Sequence, residues 1–172
     1  MSDSLSDGAL RAAELLREAR LHEQSGRLEK AMDCYTAAIA DSAWTAAWAV
    51  QSVGLRRLAL IHHQRNESDA AVETCRTSCE VALRAGDSEL AAEALNALGA
   101  FEMERGSFET ARETFQRALS LAGENDELTE RIKRNLGILA DVHGALSGAL
   151  DHLRRSLDAY QGDADAENVT AA

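Results

Sequence analysis

Apolar side chains recur every three or four residues along most of the chain, and this period is clearest in residues 95–119. That stretch, LNALGAFEMERGSFETARETFQRAL, has two apolar stripes separated by the polar sequence RGSF. A spacing of three and four residues places apolar side chains on one face of an α-helix, whereas a strand would alternate with a period of two. The stretch therefore predicts two amphipathic helices joined by a tight turn.

The features of this helix pair occur four times. Aligned on the break between helices, Gly26, Asn66, Gly106 and Gly144 fall into register at separations of 40, 40 and 38 residues. A small residue precedes each break by seven positions, an alanine follows by five, and a larger core-filling residue follows by nine. Small residues let two helices approach closely, and glycine or asparagine accepts the positive φ of a tight reversal. The chain is therefore predicted to repeat one antiparallel helical hairpin four times.

The predicted fold class is all-α, an α-solenoid of about four antiparallel hairpins, with no proline to break a helix. The predicted helices run over 8–24, 28–40, 43–65, 68–85, 87–104, 108–122, 126–142 and 146–160. They group into repeats over 10–42, 43–86, 87–124 and 125–160, within a helical domain of residues 9–160. We expect a flexible N-terminus over 1–8 and a disordered acidic tail over 161–172, because that tail is polar and without an apolar period.

The recurring residues resemble the tetratricopeptide repeat family, whose pattern is a bulky residue, then Leu-Gly, then Ala and an aromatic residue four positions later. The third repeat carries this resemblance best, with Leu95, Leu98, Gly99, Gly106, Ala111, Phe115 and Ala118. A period near 40 residues resembles the longer, bacterial type of repeat. The resemblance spans about residues 10–160 and implies a right-handed superhelix.

The fourth repeat departs from this pattern. It keeps Gly137 and Ala149, but Lys133 stands in place of the bulky residue and Leu153 in place of the aromatic one. Its assignment depends mainly on spacing.

The resemblance also implies a concave groove, lined by the first helix of each pair, that binds a peptide segment of a partner protein. The candidate groove residues are those on first helices that packing does not use: Arg20, Gln24, Arg56, Leu60, His63, Gln64, Asn96, Met103, Arg131, Arg134, Asn135 and Ile138. Side-chain amides can satisfy the unpaired backbone groups of an extended peptide, arginines can hold carboxylates, and apolar residues add contact area. Arg56 and Arg131 are expected to be exposed.

The formal net charge of −11 disfavours nucleic acid and anionic membranes as partners. We expect a protein or peptide partner, with acidic groups or a C-terminal carboxylate, and no cofactor; a homodimer is left open. The N-terminal sequence has no secretory pattern, and no window approaches 18 apolar residues, so a cytoplasmic location is expected.

Three cysteines are an odd number for a disulfide framework, and we expect them to be reduced. Cys75 and Cys79, with His62 and His63 on the preceding helix, include the ligand types of zinc. The two cysteines, however, stand where larger core residues occur in the next repeat, so buried side chains and no metal are expected.

Trp44 and Trp48 are expected to pack between the first and second repeats, with an exposed aromatic platform as the alternative. No serine, cysteine or histidine lies in a nucleophile motif, so catalysis is not expected. The predicted function is a non-enzymatic adaptor or scaffold that binds a partner peptide in the groove. Two alternatives are an N-terminal regulatory or dimerisation module of a larger bacterial signalling protein, for example one linked to cyclic-dinucleotide turnover, and a Cys/His metal-binding helical protein.

Overall fold

A computed structural model of the chain describes the backbone of residues 2–170 and the side chains of residues 7–155. This part of the chain is all-α and contains no strand. Its helices are α1 (Ser2–Gln24), α2 (Leu28–Trp44), α3 (Trp48–Gln64), α4 (Ser68–Arg84), α5 (Ser88–Glu104), α6 (Phe108–Leu121) and α7 (Asp126–Thr170). Among the described residues, no helix has both the length and the apolar character needed to cross a bilayer.

The turns between helices are marked by residues with positive φ. Gly26, Asn66 and Gly106 have φ of 71°, 61° and 78° and end the first helix of each hairpin, as predicted. Gly86 and Ala46, with φ of 73° and 55°, mark the turns between successive hairpins. Because each of α2 to α5 has 17 residues and is followed by three turn residues, these left-handed positions stand 20 residues apart.

The first two hairpins meet later in the chain than predicted. The third predicted helix was expected from residue 43, whereas α2 continues to Trp44 and α3 begins at Trp48. Alanine is an unusual residue for the left-handed conformation of Ala46, so no glycine or asparagine indicated this turn in the sequence. By contrast, both ends of α4, α5 and α6 lie within one residue of the prediction.

Three hairpins pack as predicted: α1 with α2, α3 with α4, and α5 with α6. The small residues predicted to lie between their helices have no solvent exposure, namely Ala19, Ala31, Ala59, Ala71 and Ala111. The larger residues nine positions after each turn are also fully buried, namely Tyr35, Cys75 and Phe115. In addition, α3 contacts both α1 and α5, so the first helices of the three hairpins lie side by side.

The predicted fourth hairpin is wrong, because α7 is one continuous helix. Gly144 lies inside it, Ala149 is exposed, and Leu153 is 67% exposed instead of buried against a first helix. Lys133, at the position of the bulky residue, is solvated and pairs with Glu130 at 2.8 Å. The fourth repeat therefore lacks the apolar contact that closes the other three.

The chain divides into two compact units, Met1–Leu136 and Gly137–Ala172. The first contains the three hairpins and the beginning of α7, and the second contains the rest of α7. The helix α1 begins at Ser2, six residues before its predicted start. Most of the side chains of the expected flexible N-terminus, and all of those of the expected disordered tail, lie outside the described residues, so both expectations stay predictions.

Candidate functional site

The candidate site is the surface formed by α1, α3, α5 and the part of α7 before Gly137, which we call the first-helix face. It contains two clefts of about 330 Å³ each, which adjoin because Arg57 lines both. The first cleft is lined by Arg20, Glu23, Gln24, Leu28, Arg57 and Gln64. The central cleft is lined by Arg56, Arg57, Leu60, Glu93, Asn96, Ala97, Ala100, Phe101 and Arg131.

The central cleft is organised around the carboxylate of Glu93 on α5. Arg56 on α3 donates from Nη2 to Oε2 of Glu93 at 2.5 Å, and Nη2 of Arg131 on α7 lies 3.7 Å from Oε1. The side chain of Arg56 is only 16% exposed, so the expectation that this arginine lies free on the surface is wrong. Burial lowers the pKa of Arg56, and the charge of Glu93 opposes that shift.

Two asparagines extend this polar cluster. Nδ2 of Asn135 on α7 donates to Oδ1 of Asn96 on α5 at 2.9 Å, and Asn96 is buried. The two amides predicted to bind a peptide backbone are therefore also bonded to each other. A peptide that used Oδ1 of Asn96 would have to share or replace this hydrogen bond.

Acids and bases are also paired elsewhere on the first-helix face. Nη1 of Arg57 lies 3.6 Å from Oε1 of Glu23, whose Oε2 accepts a hydrogen bond from the Tyr35 hydroxyl at 2.6 Å. Burial and this hydrogen bond raise the pKa of Tyr35. Nε2 of His63 lies 3.1 Å from Oε2 of Glu104, and its ring stacks on Phe101 with centroids 4.7 Å apart.

Seven of the twelve predicted groove residues line the two clefts: Arg20, Gln24, Gln64, Arg56, Leu60, Asn96 and Arg131. Asn135 joins them through its hydrogen bond, and His63 through its contact with Phe101. Met103 and Arg134 line neither cleft. Ile138 belongs to the second unit, where it is 43% exposed. The sequence prediction omitted Glu93, Glu23 and Arg57, which the repeat pattern also places on first helices.

Not every arginine of this face is paired. Within the described residues, Arg20 and Arg134 make neither an ion pair nor a hydrogen bond, and both are exposed. Of these two, Arg20 lines the first cleft. It is therefore the cation that can meet a ligand without first losing an internal partner.

The predicted burial of the two neighbouring cysteines is confirmed. Cys75 is fully buried and donates from Sγ to the Ala94 carbonyl at 3.1 Å, and Cys79 is 4% exposed. Burial raises the pKa of Cys75 to about 12. The alternative zinc grouping is not assembled, because Nδ1 of His62 contacts Glu67 at 2.6 Å and His63 contacts Glu104.

The packing expected of the tryptophans is wrong for Trp44. This side chain ends α2 and is 84% exposed. Trp48 begins α3 and is half-buried, with the Arg84 guanidinium carbon 5.7 Å from its ring centroid. The tight turn at Ala46 places the two rings on different helices.

The three hairpins, with first helices side by side and small residues at each helix contact, define a helical-repeat protein. Sequence profiles described as "Tetratricopeptide repeat" match residues 15–40 and 90–162, together more than half of the chain. The chain belongs to the tetratricopeptide repeat family and, as a member, is a protein–protein interaction module. No curated protein matches the sequence.

Solved structures with the same fold include BtubC (BKLC) from P. vanneervenii, with a TM-score of 0.67 and 21% identity over 77% of this chain. The present chain spans only 56% of the BtubC chain. The N-terminal domain of stress-induced protein-1 (STI-1) from C. elegans has a TM-score of 0.61 and 19% identity, covering 74% of this chain and 96% of that domain.

A further similar structure is the first TPR of Spaghetti (RPAP3) bound to the HSP90 peptide SRMEEVD. It has a TM-score of 0.55 and 21% identity, covering 77% of this chain and 95% of that one. At these identities the similarity establishes the fold.

Proposed function

We propose that the chain is a non-enzymatic adaptor that binds an acidic peptide segment of a partner protein along the first-helix face. The observation that carries the proposal is the row of cationic and amide side chains along two adjoining clefts. Arg20, Gln24 and Gln64 line the first cleft, and Arg56 and Asn96 line the central one. A peptide lying across both clefts would meet alternating charged and amide groups.

The chemistry of these groups suits an extended chain with carboxylates. Backbone amides and carbonyls of a peptide lose their water on binding, so the receptor must offer hydrogen bonds in return, which Gln24 and Gln64 can provide. The guanidinium of Arg20 can hold a carboxylate through charge-assisted hydrogen bonds. The peptide SRMEEVD, bound by the similar Spaghetti repeat domain, has this acidic character and supports the proposal.

The test begins with a library of random peptides displayed with free C-termini, from which binders of the full chain are selected. We expect the selected peptides to be rich in Asp and Glu. Calorimetric titration of one selected peptide then compares the unchanged protein with Arg20→Glu. A charge-assisted contact contributes about 1.5–3 kcal/mol, which corresponds to about a tenfold to hundredfold weaker binding in the variant.

The matched control is Arg112→Glu on α6, which lines neither cleft on the first-helix face. It makes the same charge reversal and should leave affinity within about twofold. Binding should also weaken as salt rises, because the Debye length falls from about 10 Å at 0.1 M to about 3 Å at 1 M. Equal losses in both variants, or a selection with no acidic preference, would remove this face as the site of an acidic peptide. The regulatory-module alternative and the cytoplasmic location stay predictions.

A further inference from the structure

The central cleft already holds one carboxylate, that of Glu93. Its two oxygens face two arginines from different helices, at 2.5 Å for Arg56 on α3 and 3.7 Å for Arg131 on α7. Convergence of guanidinium groups on one carboxylate is the arrangement by which arginines bind acidic ligands. We call the space between these two arginines the anion seat.

The anion seat requires a negative charge. The side chain of Arg56 is 16% exposed, and no acid other than Glu93 pairs with it among the described residues. A guanidinium that has lost most of its water is destabilised unless an anion faces it closely. An empty seat would therefore attract any carboxylate able to enter the cleft.

The seat is also within reach of an external ligand. Glu93 is 25% exposed and Arg131 is 42% exposed, and both line the cleft, which opens to solvent. A glutamate side chain has three rotatable bonds, so Glu93 can turn outward without movement of the α5 backbone.

We propose that Glu93 is an internal carboxylate occupying the position that an acidic side chain or C-terminus of the partner takes, so that the partner binds by displacing it. The proposal rests on the proposed function, since it names the residue of that face which sets affinity and charge preference. Binding then exchanges one carboxylate for another on Arg56 and Arg131. The unchanged protein therefore binds more weakly than a protein whose seat is vacant.

An ion pair that serves stability alone would predict a different outcome, and acetate as a small carboxylate distinguishes the two. Glu93→Ala vacates the seat and leaves Arg56 unpaired, which should lower the melting temperature. If the seat accepts external carboxylates, sodium acetate should restore part of that loss relative to sodium chloride of equal ionic strength. Glu93→Gln keeps the shape of the side chain and serves as the second variant if Glu93→Ala does not fold.

The matched control is Glu102→Ala, on the same helix. Glu102 is also buried, but its hydrogen-bond partner is the Thr114 hydroxyl at 2.7 Å, and no ion pair holds it. Its removal leaves no guanidinium without a partner, so acetate and chloride should act alike. Acetate rescue of Glu93→Ala but not of Glu102→Ala supports the seat, and equal responses in the two variants overturn it.

The second measurement is calorimetric titration of the peptide SRMEEVD and its neutral analogue SRMQQVN into the unchanged protein and Glu93→Gln. We expect the variant to bind SRMEEVD at least about tenfold more tightly, because no internal carboxylate must be displaced, and to gain nothing for SRMQQVN. Equal affinity of both proteins for SRMEEVD would overturn the displacement while leaving the proposed function intact. Acetate rescue with no binding of either peptide or of any selected library peptide would overturn both the proposed function and displacement by a partner.

Discussion

Substitution of Gly99 is expected to reveal how closely the third hairpin is packed. A Cβ placed on Gly99 would lie 2.8 Å from Cδ1 and Cε1 of Phe115 and 3.0 Å from Cζ. Carbon atoms attract each other best at about 3.5–4.0 Å, so these contacts are strongly repulsive. The Phe115 ring has no solvent exposure and cannot turn aside freely. Gly99→Ala should therefore force the ring or α6 to move.

The size of the effect follows from two opposing terms. Extra carbon in a closely packed core costs about 1–3 kcal/mol. Replacing glycine by alanine inside a helix returns about 0.5–1 kcal/mol through backbone entropy. The net result for Gly99→Ala is a loss of roughly 0.5–2 kcal/mol, since the overpacking term exceeds the helix term. In a protein of this length, a loss of 1 kcal/mol lowers the melting temperature by about 2–4 °C.

The assay is urea unfolding followed by circular dichroism, with Gly137→Ala as the matched control. The repeat pattern treats Gly137 as equivalent to Gly99, but nothing lies within 4 Å of a Cβ built at Gly137. Gly137→Ala should therefore be neutral or stabilise by about 0.5–1 kcal/mol. In the Phe115→Leu background, Gly99→Ala should lose most of its cost because the ring is absent. If Gly99→Ala stabilised the protein as much as Gly137→Ala does, the described contact with Phe115 would be wrong.

Two further substitutions test the interior. Ala111→Arg should abolish cooperative thermal unfolding measured by circular dichroism, because it places a long charged side chain at a position with no solvent exposure; melting like that of the unchanged protein would contradict this packing. Burial raises the pKa of Cys75 from 9.0 to about 12, so its neutral thiol favours the folded state, and this contribution should be lost as pH rises from 9.0 towards 12. Cys75→Ala should show a smaller fall in stability over that interval in urea unfolding at stepped pH, and an unchanged slope would refute this contribution.

The three hairpins could be predicted because their packing needs particular side-chain sizes. Alanine at position 111 and its equivalents, and a larger residue four positions on, recur in the sequence because two helices cannot approach closely otherwise. The turn at Ala46 was missed because its residue type does not favour the left-handed conformation that it adopts. The 20-residue spacing between Gly26, Asn66, Gly86 and Gly106 is the signal that could have located it.

The lining of the clefts was largely predictable, whereas the pairing of charges within them was not. Ion pairs on the first-helix face join residues about one repeat apart, such as Arg56 with Glu93 and His63 with Glu104. A helical pattern places such residues on a face but does not determine which long side chains meet across helices. Burial also depends on position in the array: α3 has a neighbouring first helix on both sides, and its Arg56 is largely buried, whereas Arg20 on the terminal α1 is exposed.

The straight course of α7 shows where spacing alone is insufficient. A hairpin at Gly144 would have to bury enough apolar surface to offset the helical hydrogen bonds lost at the turn. In the third repeat that surface comes from Leu95 and Phe115, which are 3% and 0% exposed. The corresponding residues of the fourth are Lys133, whose charge is stable only in water or in an ion pair, and the smaller Leu153. Because glycine inside a helix costs only about 1 kcal/mol relative to alanine, continuing through Gly144 needs less compensation than closing a hairpin over a lysine.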